Sequence, residues 1–258
     1  MDYQTLRYAA FDGIATITLD RPDVMNALNT QMRAEILHAV KAGARSERVV
    51  VITGSGRAFC SGQDLGAGKD AANVDLERTL RDEYVPLIEA IADCPVPTIA
   101  AVNGAAAGAG ANLALACDVV IATESAYFLQ AFTRIGLIPD AGGTWLLPRQ
   151  MGIAKAMGAA LFADRISAKQ ASDWGMIWEA VPDDVFVEHW KRRAAYLAKG
   201  PTLAFANVKK ALRAADEARL TEQMVLEAQL QGDCGKSHDF QEGVAAFTQK
   251  RPAKFEGR

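Results

Sequence analysis

Asp140 is the residue best placed to move a proton. It is the only ionisable side chain between Arg134 and Arg149, inside Ile135-Gly136-Leu137-Ile138-Pro139-Asp140-Ala141-Gly142-Gly143. A carboxylate among aliphatic neighbours is poorly solvated, and desolvation raises its pKa toward a value useful for taking and returning protons. The competing assignment is structural: Asp140 caps the helix that Gly142-Gly143-Thr144-Trp145 begins. Taken alone, the segment favours the cap, because short Asp-Gly stretches are common turns.

Two stretches rich in small residues accompany it, Gly54-Ser55-Gly56-Arg57-Ala58-Phe59-Cys60-Ser61-Gly62-Gln63-Asp64-Leu65 and Asn103-Gly104-Ala105-Ala106-Ala107-Gly108-Ala109-Gly110-Ala111-Asn112. Small side chains after a strand let a ligand approach the backbone, where free N–H groups bind an anion or polarise a carbonyl. Neither stretch has the G-x-x-x-x-G-K-[ST] phosphate loop, and the G-x-G-x-x-G register fails because Leu113 stands where the third glycine belongs. Ser61 is flanked by Phe59 and Gln63 instead of the glycines of a nucleophile elbow. His38, His189 and His238 lie away from these segments and read as ordinary histidines. What remains is an oxyanion hole made of one backbone N–H from each stretch, or simple tight helix–strand packing.

The elements that must position these groups are legible from periodicity. Ile14–Leu19 alternates like a strand, Met32, Ile36 and Val40 recur at helical spacing, and Val49–Ile52 is a buried strand. Val85, Leu87, Ile88 and Ile91 mark a helix closed by the Cys94-Pro95 and Val96-Pro97 pairs, and Thr98–Val102 and Val119–Ala122 are further strands. Alternating strands and helices predict a layered α/β core with largely parallel pairing. From Ile153 helical periodicity dominates, and Pro201 to about Lys250 reads as three amphipathic helices, with Leu220, Met224 and Leu230 on one apolar face. Such a tail packs either on its own core or on a neighbouring subunit.

The chain has 258 residues, half of them hydrophobic, and a net charge of -3, which excludes electrostatic attraction to nucleic acid or to an anionic membrane. No apolar run approaches the roughly 20 residues of a membrane span, and Met1-Asp2-Tyr3-Gln4 does not begin a signal peptide. Cys60, Cys94, Cys117 and Cys234 lack metal-ligand spacing and read as buried free thiols in a reducing cytoplasm. A cytoplasmic location is the expectation.

Phe59-Cys60-Ser61-Gly62-Gln63-Asp64-Leu65 and the run Val102–Asp118 resemble the crotonase (enoyl-CoA hydratase/isomerase) superfamily. Arg21-Pro22-Asp23-Val24-Met25-Asn26-Ala27-Leu28-Asn29, the segment around Asp140 and the tail Glu242-Gly243-Val244-Ala245-Ala246-Phe247 are similar to the same family, in order along essentially the whole chain. The resemblance implies a spiral of ββα units over residues 1–195 and a helical region, 196–258, that assembles trimers, which commonly pair into hexamers. It implies an acyl-CoA thioester substrate and no cofactor beyond the coenzyme A that the substrate carries. It implies that the backbone N–H groups of Gln63 and Ala109 hold the thioester oxygen, that Asn26, Ala27, Asp64 and Leu65 fall at the coenzyme A contacts, and that Phe132 lines the acyl pocket. Lys250, Arg251 and Lys254 are candidates for a CoA phosphate, although solvated tail charge explains them as well.

Hydratases of the family use two glutamates, at the positions held here by Asn112 and Phe132. Neither side chain can act as a base. Asp140 falls where several isomerases of the family place their single acting carboxylate, and one base without a partner suits proton transfer between two carbons of one substrate. Trp174-Gly175-Met176-Ile177-Trp178 and Gly143-Thr144-Trp145-Leu146-Leu147-Pro148-Arg149 further resemble the isomerase branch of phenylacetate degradation. That branch converts 2-(1,2-epoxy-1,2-dihydrophenyl)acetyl-CoA to an oxepin. Δ3-to-Δ2 isomerisation of an enoyl-CoA needs the same parts, hydration is a residual alternative, and a non-catalytic acyl-CoA-binding scaffold is the alternative of another class. Acyl specificity is expected from side chains between Ala67 and Tyr84.

Overall fold

The structure, a computed structural model, describes residues 2–66 and 75–258. The chain opens with a hairpin of β1 (Leu6–Phe11) and β2 (Ile14–Leu19), whose turn residues Asp12 and Gly13 both have positive φ. Ala15, Ile17 and Leu19 point inward from β2 and are fully buried. Helix α1 (Thr30–Ser46) follows, capped by Asn29, whose side chain accepts from Met32 N at 2.8 Å.

The chain then winds through a repeating pattern in which a longer strand is followed by a short one and, in most turns, a helix. The longer strands are β3 (Val49–Gly54), β5 (Thr98–Val102) and β7 (Val119–Thr123); the short ones are β4 (Ala58–Cys60), β6 (Ala105–Ala107) and β8 (Tyr127–Leu129). Between β4 and β5 lie α2 (Leu76–Thr79), a π-helical turn (Leu80–Tyr84) and α3 (Val85–Ala92); α4 (Ala109–Leu115) follows β6. After β8 come a 3-10 turn (Ala131–Ile135), α5 (Gly143–Met151), α6 (Ile153–Phe162), β9 (Ile166–Ser167), α7 (Ala168–Asp173), β10 (Glu179–Val181) and α8 (Phe186–Ala198).

Long strands form a six-stranded sheet in the order β1-β2-β3-β5-β7-β10, parallel except for the first pair. Short strands form a second sheet, β4-β6-β8-β9, parallel except for β9. The β-branched run of β3 serves both faces: Val50 and Ile52 join the main core, while Val49 and Val51 meet Phe186, Trp190 and Ala194 of α8. Burial on both faces is what an uninterrupted apolar strand predicts.

The expected α/β spiral with a helical tail is the architecture observed. All the strands and helices read from the sequence are present, and the three tail helices are α9 (Thr202–Ala214), α10 (Leu220–Gly235) and α11 (His238–Gln249). Helix α9 is tied to the core by Lys209, whose Nζ donates to Cys94 O and Val96 O and pairs with Asp118, and by Arg213, which also pairs with Asp118. The stripe read from Leu220, Met224 and Leu230 does not pack as one face. Leu230 is buried, but Leu220 is 77% and Met224 57% exposed. Cys60, Cys94 and Cys117 are buried free thiols and Cys234 is half-buried. Among the described residues no helix is long and apolar enough to cross a membrane.

Candidate active site

The two small-residue segments meet because side chains are missing where they touch. Gly62, just beyond β4, has φ +95°, and a Cβ there would lie 2.8 Å from Ala107 O and 3.4 Å from Ala109 N. Any larger residue would drive the segments apart. Leu28 brackets the next residue: its N–H donates to Gly62 O and its carbonyl accepts from Asp64 N. Ala109 is the first residue of α4, where helical N–H groups have no intrahelical acceptor. Gln63 and Ala109 thus come to one wall of a cavity of ≈ 270 Å³ that also contains Phe132, Leu137 and Asp140.

Asp140 is not a helix cap. Helix α5 is preceded by Gly142, with no side-chain capping bond, and Asp140 Oδ1 is buried without a hydrogen-bond partner. Burial raises its pKa from 3.8 to about 6, with only its own backbone N–H pulling the other way. What helps fix the start of α5 is the backbone carbonyl of Asp140, which accepts from Gly143 N at 2.8 Å. The same carbonyl accepts from the fully buried Asn112 Nδ2 at 2.7 Å, and Asn112 Oδ1 accepts from Gln130 Nε2. Gly143 is required here, since a Cβ would sit 2.4 Å from Asn112 Nδ2. The carboxylate is therefore left free by a backbone held in place around it.

Phe132 is buried in the cavity wall. Gln63 is held by a group of residues that sequence reasoning passed over. Its Oε1 accepts from Arg33 Nη1 at 2.8 Å and from the Tyr84 hydroxyl at 2.5 Å. Arg33 is 3% exposed, pairs with Glu83 and lies over the Tyr84 ring, 5.0 Å from its centroid. A signal existed: Arg33 precedes Ile36 and Val40 by three and seven residues, a charge on the apolar face of α1. A second chamber of ≈ 660 Å³ shares Leu80, Tyr84, Leu137 and Asp140 with the first, so Asp140 stands between the two.

The expected coenzyme A contacts divide. Asn26 does not offer its side chain: it is fully buried, its Oδ1 accepts from Arg21 N, and its Nδ2 donates to the carbonyls of Ser55, Ala58 and Phe59. It holds the strand end that carries Gln63, which is a structural duty. Ala27 is buried too, its carbonyl accepting from Arg21 Nη1. Asp64 pairs with Arg21 at 2.8 Å, and that bond holds its carboxyl below the usual range. Leu65 is 44% exposed and lines the cavity. Arg251 is engaged by Glu242 through two hydrogen bonds, and Lys250 closes α11 in the left-handed conformation. Lys254 donates its backbone N–H to the same Glu242. Of the segment expected to set acyl specificity, residues 67–74 lie outside the described residues; Leu76, Thr79, Leu80 and Tyr84 line the cavity. Among the described residues no cluster of histidine, cysteine, aspartate or glutamate could hold a metal.

Comparison with known proteins bears on the family. The family profile described as Enoyl-CoA hydratase/isomerase matches residues 10–258. A Rhodobacter capsulatus protein named "Probable enoyl-CoA hydratase" is 62% identical, with all of both chains covered. The 1,2-epoxyphenylacetyl-CoA isomerase of Escherichia coli K12 is 44% identical, covering 95% of this chain and 96% of its own. Among solved structures, an enoyl-CoA hydratase from Polaromonas sp. JS666 superposes with a TM-score of 0.92 at 31% identity, over 97% of this chain and 99% of that one. With its spiral core and touching small-residue segments, the chain belongs to the enoyl-CoA hydratase/isomerase family.

Proposed function

We propose that this enzyme is an isomerase that works on a CoA thioester with Asp140 as its single acid–base group, converting 2-(1,2-epoxy-1,2-dihydrophenyl)acetyl-CoA to the oxepin. The observation that carries the reading is the state of Asp140: a cavity-facing carboxylate with an unpartnered buried oxygen and a pKa raised to about 6. Such a group is a base strong enough to take the proton beside the thioester carbonyl and, once protonated, an acid able to give it back. The backbone N–H groups of Gln63 and Ala109 stabilise the enolate oxygen. Electron flow from the enolate forms a double bond to the ring and breaks the carbon–carbon bond that the epoxide shares with the six-membered ring, leaving both C–O bonds intact. Proton return at a ring carbon completes the isomerisation.

Support for isomerisation over hydration lies in Asn112 and Phe132. The first is a buried amide already bonded to Asp140 O and Gln130, the second a phenyl ring. Neither can activate water. The relative named 1,2-epoxyphenylacetyl-CoA isomerase supports the ring substrate. Hydration stays as the second reading because the relative at 62% identity is named a hydratase. Δ3-to-Δ2 isomerisation of an enoyl-CoA uses the same parts and stands as an additional activity. Asp64 and Leu65 are proposed to meet the CoA moiety, and the exposed apolar residues of α9 to α11 to assemble trimers. A product assay with the epoxide thioester, a 3-enoyl-CoA and crotonyl-CoA side by side tests this. Oxepin formation is expected, with no 3-hydroxyacyl product; a 3-hydroxyacyl product as the main outcome overturns it, and binding without any turnover returns the chain to a scaffold role.

A further inference from the structure

Gln63 has a side chain as well as a backbone N–H, and the side chain's orientation is fixed. A glutamine amide can flip, exchanging its acceptor and donor ends, unless its neighbours decide. Here they do: Arg33 has no acceptor at all, so the atom facing Arg33 Nη1 at 2.8 Å must be the oxygen. The Tyr84 hydroxyl donates to the same oxygen. With Oε1 doubly engaged, the NH₂ group projects from the other side. It has no hydrogen-bond partner among the described residues, yet it is not a buried orphan like Asp140 Oδ1.

Gln63 lines the cavity, and Tyr84, which grips its amide, shares the walls of both chambers with Asp140. The remaining wall is largely apolar, with Leu65, Leu76, Leu80, Phe132, Ile135 and Leu137. A fixed donor in such a wall selects for a ligand atom that accepts.

We infer that the Gln63 side-chain amide donates a hydrogen bond to an oxygen carried on the acyl group itself, at the β or γ carbon, and so makes Gln63 a specificity-determining residue for oxygenated acyl thioesters. Arg33 and Tyr84 are its positioning residues. The inference rests on the cavity being the acyl-thioester site and goes further by naming the chemical feature that the site recognises.

Binding of two unreactive probes to the full-length enzyme tests it: 2-hydroxyphenylacetyl-CoA, with an oxygen on the γ carbon, and phenylacetyl-CoA, without one. The wild-type protein should prefer the hydroxylated probe by about tenfold, the scale of one hydrogen bond in a dry site. Gln63→Met, of similar length but with no donor, should bind both probes alike. No preference in the wild type, or the same preference in both proteins, overturns the inference. If Gln63→Met fails to fold, the wild-type complex with 2-hydroxyphenylacetyl-CoA decides. Gln63 Nε2 should then lie about 3 Å from the probe's hydroxyl oxygen, and an amide turned away from it rejects the assignment. If the preference is present but the epoxide thioester is not turned over, the ring-expansion reading fails alone. If the epoxide is turned over without any preference, this inference fails alone.

Discussion

The side-chain amide of Asn112 donates to the backbone carbonyl of Asp140 at 2.7 Å, although the two residues are 28 positions apart. One amide therefore does two things. It stands at a position that the family resemblance assigns to a hydratase acid, and it fixes the peptide of Asp140, the one carboxylate that lines the ≈ 270 Å³ cavity among the described residues.

Asp140→Asn should keep CoA-thioester binding and lower turnover by about 10²- to 10⁴-fold, the usual contribution of a positioned base. Exchange of the substrate α-proton with solvent deuterium, followed by NMR, gives the direct check. Unchanged exchange removes Asp140 from the chemistry.

The same raised pKa sets a pH profile. Only ionised Asp140 can accept a proton, so kcat/KM should rise with pH up to about 6 and level off above it. Below that value the rate should fall about tenfold per pH unit, with the inflection absent from Asp140→Asn.

Stability should move the opposite way. The unfolded chain releases this proton near 3.8, but the folded chain holds it until about 6. The group's favourable contribution is thus complete below about pH 4 and lost as pH rises through 6, a difference of up to about 3 kcal/mol. Denaturant titrations should find Asp140→Asn more stable than wild type at pH 8, with the gap closing toward pH 4.

Asn112→Asp should be damaging despite its size match. It keeps an acceptor for Gln130 but turns the donor toward Asp140 O into a carboxylate oxygen in a fully buried site. A loss of about 1–3 kcal/mol is expected, more if the new acid stays ionised, measurable as a lower Tm. Gly143→Ala, whose new methyl would meet Asn112, should lower turnover by displacing the same peptide.

Phe247, in α11, is 87% exposed, and Leu220, Met224 and Val244 are at least half exposed. If the exposed residues of α9 to α11 assemble trimers as proposed, the wild type should be oligomeric by light scattering and Phe247→Asp should shift its mass toward monomer. A mass that stays oligomeric and unchanged would place the subunit contact elsewhere.

Regular periodicity made most of this fold readable. The β2, β3, β5 and β7 strands and the α1 and α3 helices follow directly from spacing, because each repeats one burial pattern along its length. The short β4, β6 and β8 strands were harder, since three residues carry no period. The site was readable where its residues are adjacent in the chain, as in Gly62-Gln63 and Pro139-Asp140. Asn112 was visible as a missing acid and invisible as a bond to Asp140 O, because a long-range hydrogen bond leaves no local pattern. Asn26 shows the converse: a residue of the expected type turned out to be bonded entirely inward. Arg33 and Tyr84 needed the fold, which brings α1 and the π-helical turn against the β4 loop.

Lys209 of α9 reaches the carbonyls of Cys94 and Val96, just ahead of β5, and Asp118, just ahead of β7. Arg48, just ahead of β3, reaches the carbonyls of Gly200 and Phe255. These bonds join the tail to the entry points of three neighbouring strands. Melting of the helical tail therefore loosens the central sheet at the same time, so the molecule should lose the Asp140 cavity and the exposed apolar face of its tail in one cooperative step rather than shedding them in turn.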